Sequence, residues 1–263
     1  MLKFMLQRGI SDGRIWWCPS GPFTYLPLHA AGARENDCFI HSYTSTLDAL
    51  IQGRCKSSAT KSNELKVTML GISELPNQPY LNLPSVRKEL AQISDIVGNH
   101  RTLMLVNQEA NVKAVLEHIK TATWLHIACH GQQNPTNPLH SGLLLQDGML
   151  ELGKILDISL PTAEFTFLSA CQTAMGNSNL MNESMHLVGG LVAAGFRGAV
   201  GTLWSIQDSD GPLITEMFYK TILKKGKDLD VYETAEALSV AVKELQNSGA
   251  SFERWVPFVH FGI

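Results

Sequence analysis

Two apolar segments end in side chains suited to acid-base and nucleophilic chemistry. Trp124-Leu125-His126-Ile127-Ala128-Cys129-His130-Gly131 closes on a His-Gly pair, and Phe165-Thr166-Phe167-Leu168-Ser169-Ala170-Cys171 closes on a thiol. A thiol attacks as its thiolate, and a neighbouring imidazole takes the proton and later delivers it to a leaving amine. The chemistry that pairing performs is acyl transfer. Cys171 follows His130 by 41 positions, enough for one crossover to an adjacent parallel strand. The backbone N–H groups of Gly131 and Cys171 would then be placed to hold a developing oxyanion. Histidines and cysteines at strand ends are also ordinary packing residues, so on residue types alone the dyad and the packing reading both stand.

Neighbouring residues offer weaker chemistry. Cys129 adjoins His130 in an extended run, so its side chain is expected on the opposite face as a buried structural thiol. His126 shares the face of His130 but lies two residues deeper, and reads as a hydrogen-bonded core histidine. No carboxylate sits beside His126, His130 and Cys171 to complete a metal site, so no metal or other cofactor is expected. Gly190-Leu191-Val192-Ala193-Ala194-Gly195 has phosphate-loop glycine spacing, but Phe196-Arg197 stands where Lys-Ser/Thr is required. No GxGxxG follows the first strand of the alternating region.

The elements that must position these residues follow from the hydropathy pattern. From about residue 64, short apolar runs alternate with amphipathic segments, which predicts a mostly parallel sheet with helices on both faces. Strands are expected at 66–71, 102–106, 124–128, 164–169, 198–203 and 256–261. Helices are expected at 83–97, 111–119, 184–194, 211–223 and 234–246, and the second opens on an Asn111 cap. Gln132–His140 reads as a polar loop and Gly142–Leu152 as a hairpin turning at Asp147-Gly148. Arg14–Cys18 and Phe23–His29 flank Pro19-Ser20-Gly21-Pro22 and suggest an N-terminal hairpin. Cys55–Asn63 has linker composition. Ligands of such sheets collect at the carboxyl ends of the strands, where His130 and Cys171 fall.

Composition narrows the classes. The 263 residues carry 21 Lys+Arg against 24 Asp+Glu, a net charge of −3, with only 17% charged residues. Nucleic acids and acidic membrane surfaces call for a concentrated basic face, and the one basic run, Lys224-Lys225-Gly226-Lys227, leads into Asp228 and Asp230. Neither partner is expected. Five cysteines without CxxC spacing point to reduced thiols and a cytoplasmic setting rather than a disulfide framework. Arg8 ends the N-terminal apolar run before a signal-peptide core is reached, and Leu187–Phe196 is too short to span a membrane.

Taken together, His126-Ile-Ala-Cys-His130-Gly131, Ser141-Gly-Leu-Leu-Leu-Gln-Asp-Gly148, Leu168-Ser-Ala-Cys171-Gln-Thr-Ala174, Gly195-Phe-Arg-Gly-Ala-Val-Gly-Thr-Leu-Trp204-Ser-Ile-Gln-Asp208 and Trp255-Val-Pro-Phe-Val-His-Phe-Gly262 resemble the CHAT domain. This is a family of caspase-like and separase-like cysteine peptidases, and fungal members resemble the sequence most. Trp16-Trp17-Cys18-Pro19-Ser20-Gly21-Pro22 with Leu26-Pro27-Leu28-His29, and Ser42-Tyr43-Thr44, resemble the hairpin and strand that precede the peptidase sheet.

The resemblance implies a caspase-like α/β three-layer sandwich with six main strands, the last antiparallel to its neighbours. A single domain would span 1–263, with an N-terminal hairpin region and linker at 1–63 and the core at 64–263. It implies a cysteine endopeptidase with His130 as acid/base, Cys171 as nucleophile and Gly131 with Cys171 as the oxyanion hole. The substrate would be a polypeptide extended beside Trp204-Ser205-Ile206. Asp208 matches an acidic position that helps read a basic residue before the cut, although an N-cap for the helix near Asp210-Gly211 explains it too, with Asp210 the stronger cap. Glu183 would reach the same rim, or serve as a first-turn acid favoured by the helix dipole. Attached helical-repeat or signalling domains would regulate the activity. The alternative is a catalytically silent CHAT domain that docks other proteins.

Overall fold

The computed structural model describes residues 12–31, 39–55, 66–76, 78–132, 134, 136–169, 183–224 and 228–263. Cys171, Cys38, most of the expected linker, residues 175–182 and part of the basic run lie outside the described residues, as do the side chains at 183–186.

The chain alternates as its hydropathy predicts: β1 (Gly13–Trp17), β2 (Phe39–Tyr43), α1 (Leu47–Cys55), β3 (Val67–Gly71), α2 (Ser85–Val97), β4 (Thr102–Val106), α3 (Val112–Ile119) and β5 (Trp124–Ala128). A short three-stranded excursion follows, β6 (Gly131–Gln132), β7 (Gly142–Leu145) and β8 (Gly148–Glu151), then α4 (Leu152–Leu156). The remainder is β9 (Phe165–Leu168), α5 (Glu183–Ala194), β10 (Gly198–Thr202), α6 (Asp210–Ile222), α7 (Thr234–Asn247), α8 (Phe252–Trp255) and β11 (Phe258–Gly262).

Among the described residues the central sheet has the order β1-β2-β11-β10-β9-β5-β3-β4. β5 lies between β3 and β9, both parallel to it, and β11 runs antiparallel to β10. Two differences from the expected architecture stand out. Beyond the six expected strands the sheet includes β1 and β2, and β1, expected to form a hairpin with 23–29, instead pairs in parallel with β2. The reason is local: Phe23 and Leu28, expected in the returning strand, lie in 3-10 turns at Gly21–Tyr25 and Leu28–Ala30. Pro22 at the start of the first turn favours that geometry and has no N–H for a ladder.

Period-two alternation divides the buried strands between two cores. Trp124 and Ala128 of β5 face α2, α6 and α7, together with Phe165 and Phe167 of β9. Leu125, Ile127 and Cys129 face α3, α4 and α5, together with Leu168. On that second side Gly201 lets α5 pack directly on β10, because a Cβ there would overlap a methyl of Val188. Asn111 caps α3, its side chain accepting from the Ala114 N–H at 2.9 Å.

Candidate active site

β5 delivers His130 to the carboxyl end of the sheet, on the face shared with His126. The ring is buried, with only 3% of the residue exposed, and its Nε2 lies 2.7 Å from the Leu81 carbonyl. A carbonyl only accepts, so Nε2 carries a proton, and Nδ1 is the nitrogen through which a neutral ring would accept one. Leu81 closes the 3-10 turn Pro79–Leu81 between β3 and α2. Its carbonyl is a functional group that sequence reading missed, since any residue type supplies one.

Gly131 opens β6 opposite Leu143, and the flanking bond runs from the Leu144 N–H to the His130 carbonyl at 2.8 Å. A pair flanked in this way is the non-hydrogen-bonded kind, so the Gly131 N–H is directed away from β7. The hairpin therefore leaves that donor outside its ladder. The second expected donor, Cys171, and the proposed nucleophilic thiol lie outside the described residues, as does the side chain of Glu183.

The neighbouring thiol and imidazole fit their sequence readings. Cys129 is fully buried on the α3–α5 side, and burial pushes its thiol up to about 12. A thiol held protonated in this way is a poor nucleophile. His126 is also fully buried; its Nε2 lies 3.0 Å from Glu89 Oε1, and the ring stacks on Phe167. Among the described residues no cluster of His, Cys, Asp and Glu is placed to hold a metal. Gly190 lies within α5 and against Leu152, so it serves helix packing and opens no phosphate loop.

The segment after β10 separates the remaining site residues. Asp208 accepts from the Ser85 N–H at 2.9 Å and so caps α2, not the α6 helix that follows it. Ser209 occupies the N-cap position of α6 without a side-chain cap bond. Asp210, the stronger cap candidate by sequence, is buried in the first turn and receives the guanidinium of Arg254, with Nε at 3.0 Å. Asp208, Ile206, Ser169, Leu83, Val86, Glu89 and Gly211 line a small cavity at the end of β9. Trp204 turns elsewhere, donating from its indole to the Glu253 carbonyl at 2.9 Å, and Ser205 is exposed. Glu89 was not among the sequence candidates, although its place three residues after Val86 and four before Ile93 puts it on the apolar face of α2.

Residues 2–263 match the model of the family described as CHAT domain. No curated protein sequence matches the chain. Among solved structures, the Arg-specific cysteine proteinase gingipain R is similar, with a TM-score of 0.59 and 10% identity over 88% of this chain and 56% of that one. The complex of Porphyromonas gingivalis RgpB pro- and mature domains aligns over 99% of this chain and 66% of that one, at 9% identity and a TM-score of 0.63. The Saccharomyces cerevisiae separase–securin complex aligns over 94% of this chain and 15% of that one, at 12% identity and a TM-score of 0.62. The chain thus spans less than two thirds of each of these proteins, and at such identities the likeness is one of fold. That fold is the α/β three-layer sandwich of caspase-like cysteine peptidases. Among the described residues no helix is long and apolar enough to cross a membrane.

Proposed function

Since the chain belongs to the CHAT domain family, we propose that it is a cysteine endopeptidase in which Cys171 attacks the scissile carbonyl and His130 is the acid/base. The observation that carries this reading is the His130 ring, buried at the carboxyl end of β5 with its Nε2–H held by the Leu81 carbonyl. A ring so fixed keeps Nδ1 as the proton acceptor. Nδ1 takes the Cys171 proton; the thiolate adds to the carbonyl carbon, and negative charge collects on the carbonyl oxygen. The N–H groups of Gly131 and Cys171 receive that oxyanion. On collapse the His130 imidazolium protonates the leaving amine, and a water deprotonated by the same ring then hydrolyses the thioester.

The substrate is a polypeptide extended beside Trp204-Ser205-Ile206, and the Asp208 carboxylate favours a basic residue before the cut. Glu183 contributes at the same rim. Attached helical-repeat or signalling domains control access. Incubating the domain with a peptide library, beside Cys171→Ala and His130→Ala, tests the reading. Cleavage by the parent that both substitutions abolish supports it, and cleavage surviving Cys171→Ala removes the nucleophile.

One observation favours a second reading, a silent docking module. The cavity beside Ser169 has room for only about 10 Å³, too little for a substrate side chain. A domain that binds protein partners but cuts none of the library would bear that reading out.

A further inference from the structure

Glu89 is an acidic side chain in an unusual position. It sits on the buried face of α2 with 2% of its surface exposed. Its Oε1 accepts from His126 Nε2 at 3.0 Å, and the Tyr219 hydroxyl lies 3.5 Å from the other ring nitrogen. The hydroxyl can donate to or accept from that nitrogen, so His126 answers Oε1 alone. Burial of an unpaired carboxylate is expensive, and such charges are normally matched by a cation. Among the described residues no donor reaches Oε2, and neither Glu89 nor Asp208 pairs with a lysine or arginine.

Oε2 points into the cavity at the end of β9. A Cβ on Gly211 would stand 2.7 Å from it and 3.3 Å from the Ser169 hydroxyl oxygen. Leu83, Val86 and Ile206 form apolar walls, with Asp208 also in the lining. The contents are therefore two carboxylates, one of them deeply buried, apolar sides and a hydroxyl. A long side chain with an alkyl stem and a cationic head matches that order of surfaces. A guanidinium matches it better than an ammonium, because its five donors can bridge two carboxylates.

We propose that Glu89 is a specificity-determining residue, the charged floor of the pocket that receives the basic residue before the cut, arginine ahead of lysine. This rests on the peptidase reading of the site. The cavity of about 10 Å³ is the closed form, with room for about one water. Entry of a basic side chain parts Ile206 and Asp208 from the start of α2, and Asp208 exchanges the Ser85 N–H for the incoming cation. His126 and Tyr219 act through Glu89 as positioning residues.

The test compares the parent domain, Glu89→Gln and Gly211→Ala on fluorogenic peptides that differ only in Arg, Lys, Gln, Met or Asp before the scissile bond. Glu89→Gln preserves the acceptor for His126 and removes the charge. Gly211→Ala keeps the charge and crowds Oε2. The parent is expected to prefer Arg over Gln by 100-fold or more in kcat/KM, on the order of a desolvated ion pair. Each variant is expected to lower the Arg-to-Gln ratio of kcat/KM at least tenfold, mainly through KM on the Arg peptide. A parent that prefers neutral or acidic residues, or variants that keep the parent's Arg-to-Gln ratio, would overturn the inference. Should Glu89→Gln fail to fold, Gly211→Ala decides alone. Failure of the peptidase reading looks different: no form cuts any peptide. Benzamidine binding by calorimetry then reads the pocket itself, and is expected for the parent and weakened at least tenfold by Gly211→Ala. Absence of parent binding, or equal binding by both, overturns the proposal.

Discussion

His130 and Cys129 are adjacent in sequence and opposite in chemistry because a strand alternates its faces. Cys129→Ser is therefore expected to leave peptide cleavage within about twofold of the parent, whereas His130→Ala is expected to lower kcat by about 10²–10⁴. Rates of parent and variants on one fluorogenic peptide check both. Asp208 permits a finer separation. As the cap of α2 it supplies an acceptor, and as a proposed substrate contact it supplies charge. Asp208→Asn keeps the acceptor and should leave urea stability nearly unchanged, while Asp208→Ala should cost ~1 kcal/mol. Equal destabilisation by both substitutions would show that the cap depends on charge. The roles of His126 as a core histidine and Cys129 as a buried thiol were legible from parity along β5. The Leu81 carbonyl was not, because it depends on where the turn between β3 and α2 lands in space.

At the scale of elements, sequence periodicity located each strand of the parallel core to within one or two residues, because strands buried on both faces read as continuous apolar runs. The N-terminal elements were misread. β1 and β2 are joined in parallel across residues 18–38, a long-range pairing that no local turn signal encodes. The Arg197 ion pair was equally invisible in sequence. Its guanidinium meets Glu164 at 2.7 Å, with 3% and 5% of the side chains exposed, and also donates to the Gly53 carbonyl of α1 and to the Tyr232 hydroxyl. One side chain thus ties α1, the entry to β9 and the turn before α7. Arg197→Met leaves Glu164 buried without its cation and should destabilise the domain by about 3–5 kcal/mol, read from urea unfolding. A loss under about 1 kcal/mol would mean that these elements are held by packing alone.

For the molecule as a whole, buried imidazoles set a response to acid remote from the candidate site. Burial, reinforced by His41, holds His29 down to about 4, and burial with the nearby Arg14 holds His260 well below the usual range. Both are neutral when folded and take up protons near pH 6.5 when unfolded. Their contribution is thus fully present above that pH and is lost as the pH falls, over the interval from 6.5 to about 4 for His29. The loss for His29 is ~3 kcal/mol across that window, measurable as a falling urea midpoint between pH 7 and pH 4.5. A flat profile there would place charged imidazoles in the folded state. Catalysis by Cys171 is tested by mass spectrometry of the domain after exposure to an irreversible peptidyl ketone carrying arginine before its reactive group. Covalent modification is expected at Cys171 alone, abolished by His130→Ala and slowed by excess substrate peptide. Modification distributed over the exposed Cys18 and Cys55, or labelling of Cys171 indifferent to His130, would contradict it.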